Sequence, residues 1–138
     1  MEADLFYNIY CCTRKGIAAM NALFDSQGDH ILPEQFLIMS LLTQRSPLNQ
    51  KEISESMIKD KTAITRAIDD LVGRGMILRQ TNPEDRRQNL ITLTDEGERM
   101  IDKLVQVYLK WEEKMLQDIT DAEKTSFLRM IRKVQQKI

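Results

Sequence analysis

The feature that most constrains this chain is a change of period. Up to about residue 74, and again from Thr94 to the end, apolar residues recur at steps of three and four, as amphipathic helices require. Between these stretches stand two short runs, Met76 to Thr81 and Leu90 to Thr94, that read as strands. They flank Asn82-Pro83-Glu84-Asp85-Arg86-Arg87-Gln88-Asn89, a polar loop too long for a tight hairpin turn. The expected class is therefore mainly α with one small β-hairpin.

The helical stretches divide at recognisable stops and starts. Residues 4 to about 26 form a first helix whose stripe is Leu5, Ile9, Cys12, Gly16, Met20 and Leu23, with Gly28 beyond its end. Gly16 on that stripe would let another backbone come close. Pro33 suits a first helical turn and opens a second helix to about Thr43, with Phe36, Leu37, Met39, Leu41 and Leu42 expected mostly inside. Asn49-Gln50-Lys51-Glu52 is a capping box for a short third helix to about Met57. Asp60 caps a fourth, which ends near Arg74 with Gly75 as a left-handed stop. Thr94 caps a long helix to about Asp118, on which Met100, Leu104, Tyr108, Trp111 and Met115 share a face. Thr120-Asp121-Ala122-Glu123 is a second capping box, and Phe127, Ile131, Val134 and Ile138 align behind it.

Three helices followed by a hairpin, bracketed by long terminal helices, describe a winged helix-turn-helix with N- and C-terminal extensions. The organisation expected is one domain over 1–138, with a DNA-binding lobe at 31–94 and helical dimerisation regions at 1–27 and 95–138. The terminal stripes are wide for a chain of 138 residues to bury alone, and a two-fold dimer would cover them.

Bulk properties narrow the class. Hydrophobic residues at 42% and charged residues at 30% fit a globular chain rather than a disordered one. No apolar run nears the roughly 18 residues of a membrane span, and Met1-Glu2-Ala3-Asp4 is acidic where a signal peptide is basic, so a cytoplasmic location is expected. Net charge is −1, yet it is unevenly spread: from Arg45 to Leu90 there are 9 basic and 7 acidic residues, against 11 and 14 elsewhere. A positive middle between negative ends suits a DNA-facing module on a neutral scaffold.

The fourth helix turns Ile64, Ile68, Leu71 and Val72 inward and presents Lys61, Thr62, Thr65, Arg66 and Asp69 on the opposite face. Hydroxyls and cations on one face, after a short helix and turn, are what reading a major groove requires; a solvated helix face would look the same in isolation. Arg86 and Arg87 stand at the tip of the hairpin, where a guanidinium fits the negative potential of a narrow minor groove. Asp85, out of place beside phosphates, is expected to pair with Arg87 or Arg79 and fix the tip.

Residues 32 to 97 resemble the core of the MarR family of transcriptional regulators. Pro33-x-Gln35-Phe36 resembles the start of its second helix, Leu48-Asn49-Gln50-Lys51-Glu52-Ile53 its third, and Asp60-Lys61-Thr62-x-x-Thr65-Arg66 its recognition helix. Leu71-x-x-x-Gly75-Met76-Ile77-x-Arg79 leads into the wing, whose signature is matched by Asp85-x-Arg87 and then Leu93-Thr94, closed by Gly97. Leu32 departs from the pattern, since many relatives carry an N-capping hydroxyl there. The resemblance implies a homodimeric, sequence-specific regulator, a repressor or, less often in the family, an activator, bound to a pseudo-palindromic operator. The fourth helix (60–74) would lie in the major groove and the wing (82–89) in the minor groove. Gln50, Lys61, Thr62, Thr65, Arg66, Arg79, Asp85, Arg86 and Arg87 are then the residues expected at DNA.

The resemblance also implies a small aromatic or phenolic effector, for which Tyr7, Tyr10, His30, Phe36 and Trp111 are the candidate lining; packing is the plainer role for such residues. A redox-sensing branch of the family uses a cysteine near the start of the first helix, but Phe6 stands at that position here. Cys11, beside Arg14 and Lys15, is the candidate thiolate, while Cys12 on the stripe is expected in the core. One histidine and no C-x-x-C assemble no zinc site, so no metal or cofactor is expected. An enzyme is not expected either, for want of a base beside a nucleophile or a phosphate-cradling glycine loop. An anti-repressor that binds protein instead of DNA would be expected to lack Arg86, Arg87 and the Thr65-Arg66 pair, all of which are present.

Overall fold

The computed structural model describes residues 3–138, and the element order is helix, helix, short strand, helix, helix, two strands, helix, helix. The helices are α1 (Leu5–Ser26), α2 (Pro33–Gln44), α3 (Gln50–Met57), α4 (Lys61–Gly73), α5 (Asp95–Met115) and α6 (Asp121–Gln135). The strands are β1 (Leu48–Asn49), β2 (Ile77–Thr81) and β3 (Asn89–Leu93). The chain divides into two compact units, one ending at Val105 and the other comprising Gln106–Ile138.

Start signals act where the side chains allow. Asp4 Oδ1 accepts from the Tyr7 amide, Asp60 Oδ1 from the Ala63 amide, and Thr120 Oγ1 from the Glu123 amide, each meeting one of a helix's orphan donors. At α3, Asn49 Oδ1 accepts from the Glu52 amide at 2.8 Å, while Glu52 answers on the Asn49 side-chain amide rather than on its backbone. Leu32 has no capping oxygen. Gln35 compensates from the other end of the turn, its Oε1 accepting from the Leu32 amide at 3.0 Å.

The core of the first unit gathers Phe24, Ile31, Phe36, Ile38, Met39, Leu42, Leu48, Ile53, Ile64, Ile68, Leu71, Ile77, Ile91, Ile101 and Leu104, all at most 4% exposed. The inward face of α4 lies where its spacing puts it, with Ala67 added between Ile64 and Ile68. On α2 the expectation needs correction. Leu37 is 47% exposed and Leu41 only half-buried, whereas Ile38 is fully buried. This helix is apolar nearly all round, so period alone does not select its inner face. A second correction concerns Cys12, which is exposed while Cys11 is half-buried. Within its own unit α1 buries only Phe24, so the stripe on its first three turns meets no core there.

The hairpin is a wing on a three-stranded antiparallel sheet of order β1-β3-β2. Leu48 pairs with Ile91 on one side of β3, and Arg79 pairs with the same Ile91 on the other. The two-residue β1 carries too little pattern to be read as a strand from sequence. Both ends of the hairpin close on one point. Thr94 donates its hydroxyl to the Gly75 carbonyl (2.6 Å) and its amide to the Met76 carbonyl (3.1 Å), and its Oγ1 caps the Gly97 amide (3.0 Å).

The second unit joins the end of α5 to α6. Tyr108 and Trp111 pack with ring centroids 5.8 Å apart, and Glu112 reaches Lys124 at 3.9 Å. Burial and the neighbouring Glu112 push the Tyr108 phenol upward. Phe127, Leu128 and Met130 of α6 are each more than 40% exposed, as are Leu5, Phe6, Tyr10 and Ile17 of α1 in the first unit. Among the described residues, no helix is long and apolar enough to cross a membrane.

Two positions carry stability predictions. A Cβ on Gly97 would lie 1.9 Å from the Met76 carbonyl oxygen, a backbone atom that cannot step aside alone. Gly97→Ala is expected to cost roughly 3 kcal/mol in denaturant unfolding, with the wing and α5 pushed apart. Ile58, in the turn between α3 and α4, has φ +50° and is 89% exposed. A β-branched residue is strained there and loses no packing on removal. Ile58→Asn is expected to stabilise the fold by about 0.5–1 kcal/mol in the same measurement.

Candidate nucleic-acid interface

Lys61, Thr62, Arg66 and Asp69 are exposed along the outer face of α4, as their offsets require, and Thr65 is half-buried. Thr65 is engaged on both sides. Its hydroxyl donates to the Lys61 carbonyl at 2.7 Å and accepts from the Gln50 side-chain amide. That contact ties the first turn of α3 to α4 and leaves the carbonyl of the Gln50 amide as the part of the pair aimed elsewhere. Arg45 donates to the Ser56 hydroxyl at 2.8 Å, and Lys59 reaches Glu34 at 3.1 Å, so the turn of the helix-turn-helix is braced against both ends of α2.

The wing tip is built around Asp85. Its Oδ1 accepts from the Arg87 amide at 3.1 Å and from Arg87 Nε at 3.2 Å, while Gln88 returns its amide to the Asp85 carbonyl at 3.0 Å. Asn82 accepts from the Glu84 amide at 3.0 Å and closes the loop base by donating its own amide to Gln88. Of the two partners expected for Asp85, Arg87 is the one observed. Bonding through Nε leaves the terminal amino groups of Arg87 facing out, and this side chain is 92% exposed. Arg86 is exposed beside it. Arg79 has a different place: its guanidinium is bonded to Asp69, holding β2 against α4, and it is 28% exposed.

Helix and wing share a surface. A groove of about 520 Å³ is lined by Asn49, Gln50, Lys51, Lys61, Arg87 and Asn89, among others, so the start of α4 and the wing tip open on one channel with three cations around it. Lys51 and Asn89 were not singled out as contacts by sequence reasoning: Lys51 has a local role in the capping box of α3, and Asn89, at the end of the wing loop, carries no charge to mark it. A second groove, of about 770 Å³, runs between the start of α2 and the outer side of α4, with His30, Arg66, Asp70 and Arg74 among its lining.

The five candidate lining residues have different surroundings within their own units. Phe36 is 4% exposed and packs on Phe24 in the core, with centroids 4.9 Å apart. Tyr7 and Tyr10 are 40% and 63% exposed on α1, and Trp111 packs on Tyr108 in the other unit. His30 alone of the five borders a described groove, its Nδ1 3.4 Å from Asp25 Oδ1. Both cysteines are free thiols. Among the described residues no three His, Cys, Asp or Glu side chains gather as a metal-binding group.

Comparison with known proteins agrees with this architecture. The sequence model of the MarR family matches residues 31–88. The HTH-type transcriptional regulator YwoH of Bacillus subtilis is 32% identical over 98 residues, which is 71% of this chain and 71% of that protein. Among solved structures, the transcriptional repressor CouR bound to a 23-mer DNA duplex superposes with a TM-score of 0.89 at 21% identity, over 97% of this chain and 94% of CouR. Bordetella bronchiseptica BpsR, whose DNA binding is regulated by 6-hydroxynicotinic acid, superposes with a TM-score of 0.88 at 16% identity, over 98% and 95%. The chain thus belongs to the MarR family and is a helix-turn-helix, DNA-binding transcriptional regulator.

Proposed function

We propose that this regulator is a repressor that binds a pseudo-palindromic operator as a homodimer. In this reading α4 enters the major groove and the wing at 82–89 enters the flanking minor groove. The observation that carries it is the shared groove: Lys61 on the first turn of α4 and Arg87 on the wing open on the same channel. A major groove is about 12 Å wide and admits one helix, and the minor groove beside it attracts an inserted guanidinium. Lys61, Thr62 and Arg66 are the reading residues, Arg86 and Arg87 the wing contacts, and Gln50 and Lys51 the neighbours that meet the backbone. Asp85, Thr65 and Arg79 act by holding these groups in place, since each is already bonded within the protein. The open apolar faces of α1 and of α6 supply surface for a second copy.

Release by a small aromatic acid is a second reading, and the groove beside α4 favours it. Arg66 and His30 offer positive or donor groups there against the apolar Leu32 and Ala67, with the carboxylates of Glu34 and Asp70 also on its lining.

Fluorescence anisotropy against genomic fragments, including the protein's own promoter, tests the repressor reading. Specific binding in the nanomolar range, at half-sites about one helical turn apart, is expected. Arg87→Ala should weaken binding on every sequence and lower the salt slope by about one unit for each phosphate it no longer neutralises. Arg66→Ala should relax base preference at one symmetric pair of positions, at roughly 1–3 kcal/mol per half-site. The reading fails if no fragment outcompetes random DNA, and the division of roles fails if both variants act equally on all sequences.

A further inference from the structure

Not every cation in the positive segment is available to DNA, and the most exposed to misreading is Arg74. It caps the C-terminal end of α4, where a positive charge meets the negative end of the helix dipole. Its Nη1 donates to the His30 carbonyl at 3.0 Å and its Nη2 to the Asp29 carbonyl, with Asp70 Oδ2 3.7 Å away. Both terminal amino groups therefore point into the protein, and the side chain is only 29% exposed.

The turn that Arg74 grips is itself anchored. His30 has φ +51°, a left-handed conformation that departs from the usual backbone path between two consecutive carbonyls that meet a single guanidinium. Asp29 gives its carbonyl to Arg74 and its carboxylate to Lys103 Nζ of α5, at 2.5 Å. One turn upstream on α4, Asp70 Oδ2 accepts from the Gln35 side-chain amide at 2.6 Å, and Gln35 is 2% exposed. The last two turns of α4 are thus tied at two points to the 29–35 segment, and that segment is tied to α5.

We propose that Arg74 is a positioning residue for DNA binding, setting the tilt of α4 through the Asp29–His30 carbonyls without touching DNA. The proposal rests on the reading of α4 as the major-groove helix. A recognition helix enters its groove from the N-terminal end, so a small change of angle at Arg74 displaces Lys61 and Arg66 at the far end. The planar fork of arginine holds two acceptors at once, which a lysine ammonium on a flexible stem does not reproduce.

The test compares wild type, Arg74→Ala, Arg74→Lys, Lys103→Met and the Arg74→Ala/Lys103→Met double variant by anisotropy on one specific and one random duplex across a salt range. Circular dichroism verifies that each variant is folded at the assay temperature. Arg74→Ala is expected to weaken binding to the specific duplex about tenfold and to the random duplex much less, with the wild-type salt slope. Arg74→Lys should recover only part of that loss. Lys103→Met, at the far end of the brace, should lose roughly threefold, and its effect should fall short of additive with Arg74→Ala. A salt slope lowered by about one unit per subunit would make Arg74 a phosphate contact and overturn the proposal. Unchanged affinity in folded Arg74→Ala would make the clamp merely structural and also overturn it. Should Arg74→Ala fail to fold, Arg74→Lys decides by the same slope and affinity criteria. Flat, salt-insensitive titrations from the wild type itself would bring down the major-groove reading first, and this inference with it.

Discussion

Four segments of this chain meet at one point: the exit of α4, the start of β2, the end of β3 and the first turn of α5. Thr94 joins them, with its hydroxyl on the Gly75 carbonyl, its amide on the Met76 carbonyl and its oxygen on the Gly97 amide. Gly97 lets α5 come down onto the Met76 backbone, which no side chain there would permit. Gly75, at φ +74°, turns the chain out of the helix without the strain another residue would meet. Because both strands of the wing start and finish at this junction, the wing has little freedom to swing relative to α4. The Arg79–Asp69 contact adds a second fastening further along the hairpin. A five-residue strand pair alone would be marginal in water, so these fastenings decide where the wing points.

The electrostatics follow from the same construction. A positive segment within a nearly neutral chain looks like a uniform basic patch when only its charges are counted. In the folded protein the cations divide into two groups. Lys59, Arg74 and Arg79 are bonded to acceptors of the protein and set the geometry of the turn, the helix end and the wing. Lys61, Arg66, Arg86 and Arg87 stand exposed on the outer face of α4 and the wing tip. Together with Lys51 they stand open at the groove and the wing tip, where a polyanion would meet them, and the first group fixes the elements that carry them.

Much of this was legible in the sequence, for physical reasons that differ by region. The caps at Asp60, Thr94 and Thr120, and the stop at Gly75, are local: each depends on a side chain and an amide three residues away or on one backbone angle, so spacing reveals them. The outer face of α4 was legible because Ile64, Ile68 and Leu71 fix its inner face. The Asp85–Arg87 contact spans two residues and was equally accessible. What escaped was long-range. The Arg74 clamp bridges some 44 positions of sequence, the Asp29–Lys103 contact 74, and β1 is too short to show a period. The inner face of α2 and the placement of Cys12 were misread because an apolar stripe shows that a helix is covered without showing by what. Phe36 takes the packing role, with Phe24 as its partner, and that pairing too is long-range and shows in no local spacing.

The central claim is that the start of α4 and the tip of the wing address adjacent grooves of one duplex, in two copies. Affinity cleavage measures this most directly. Cys11 and Cys12 are replaced by serine, Arg86→Cys is introduced, and an iron–EDTA group is tethered at residue 86. On a specific duplex, two clusters of minor-groove cuts are predicted, placed symmetrically about the operator centre and outside the sequence that α4 reads. A single cluster, cuts at the centre of the site, or no cleavage from a protein that still binds would contradict the account.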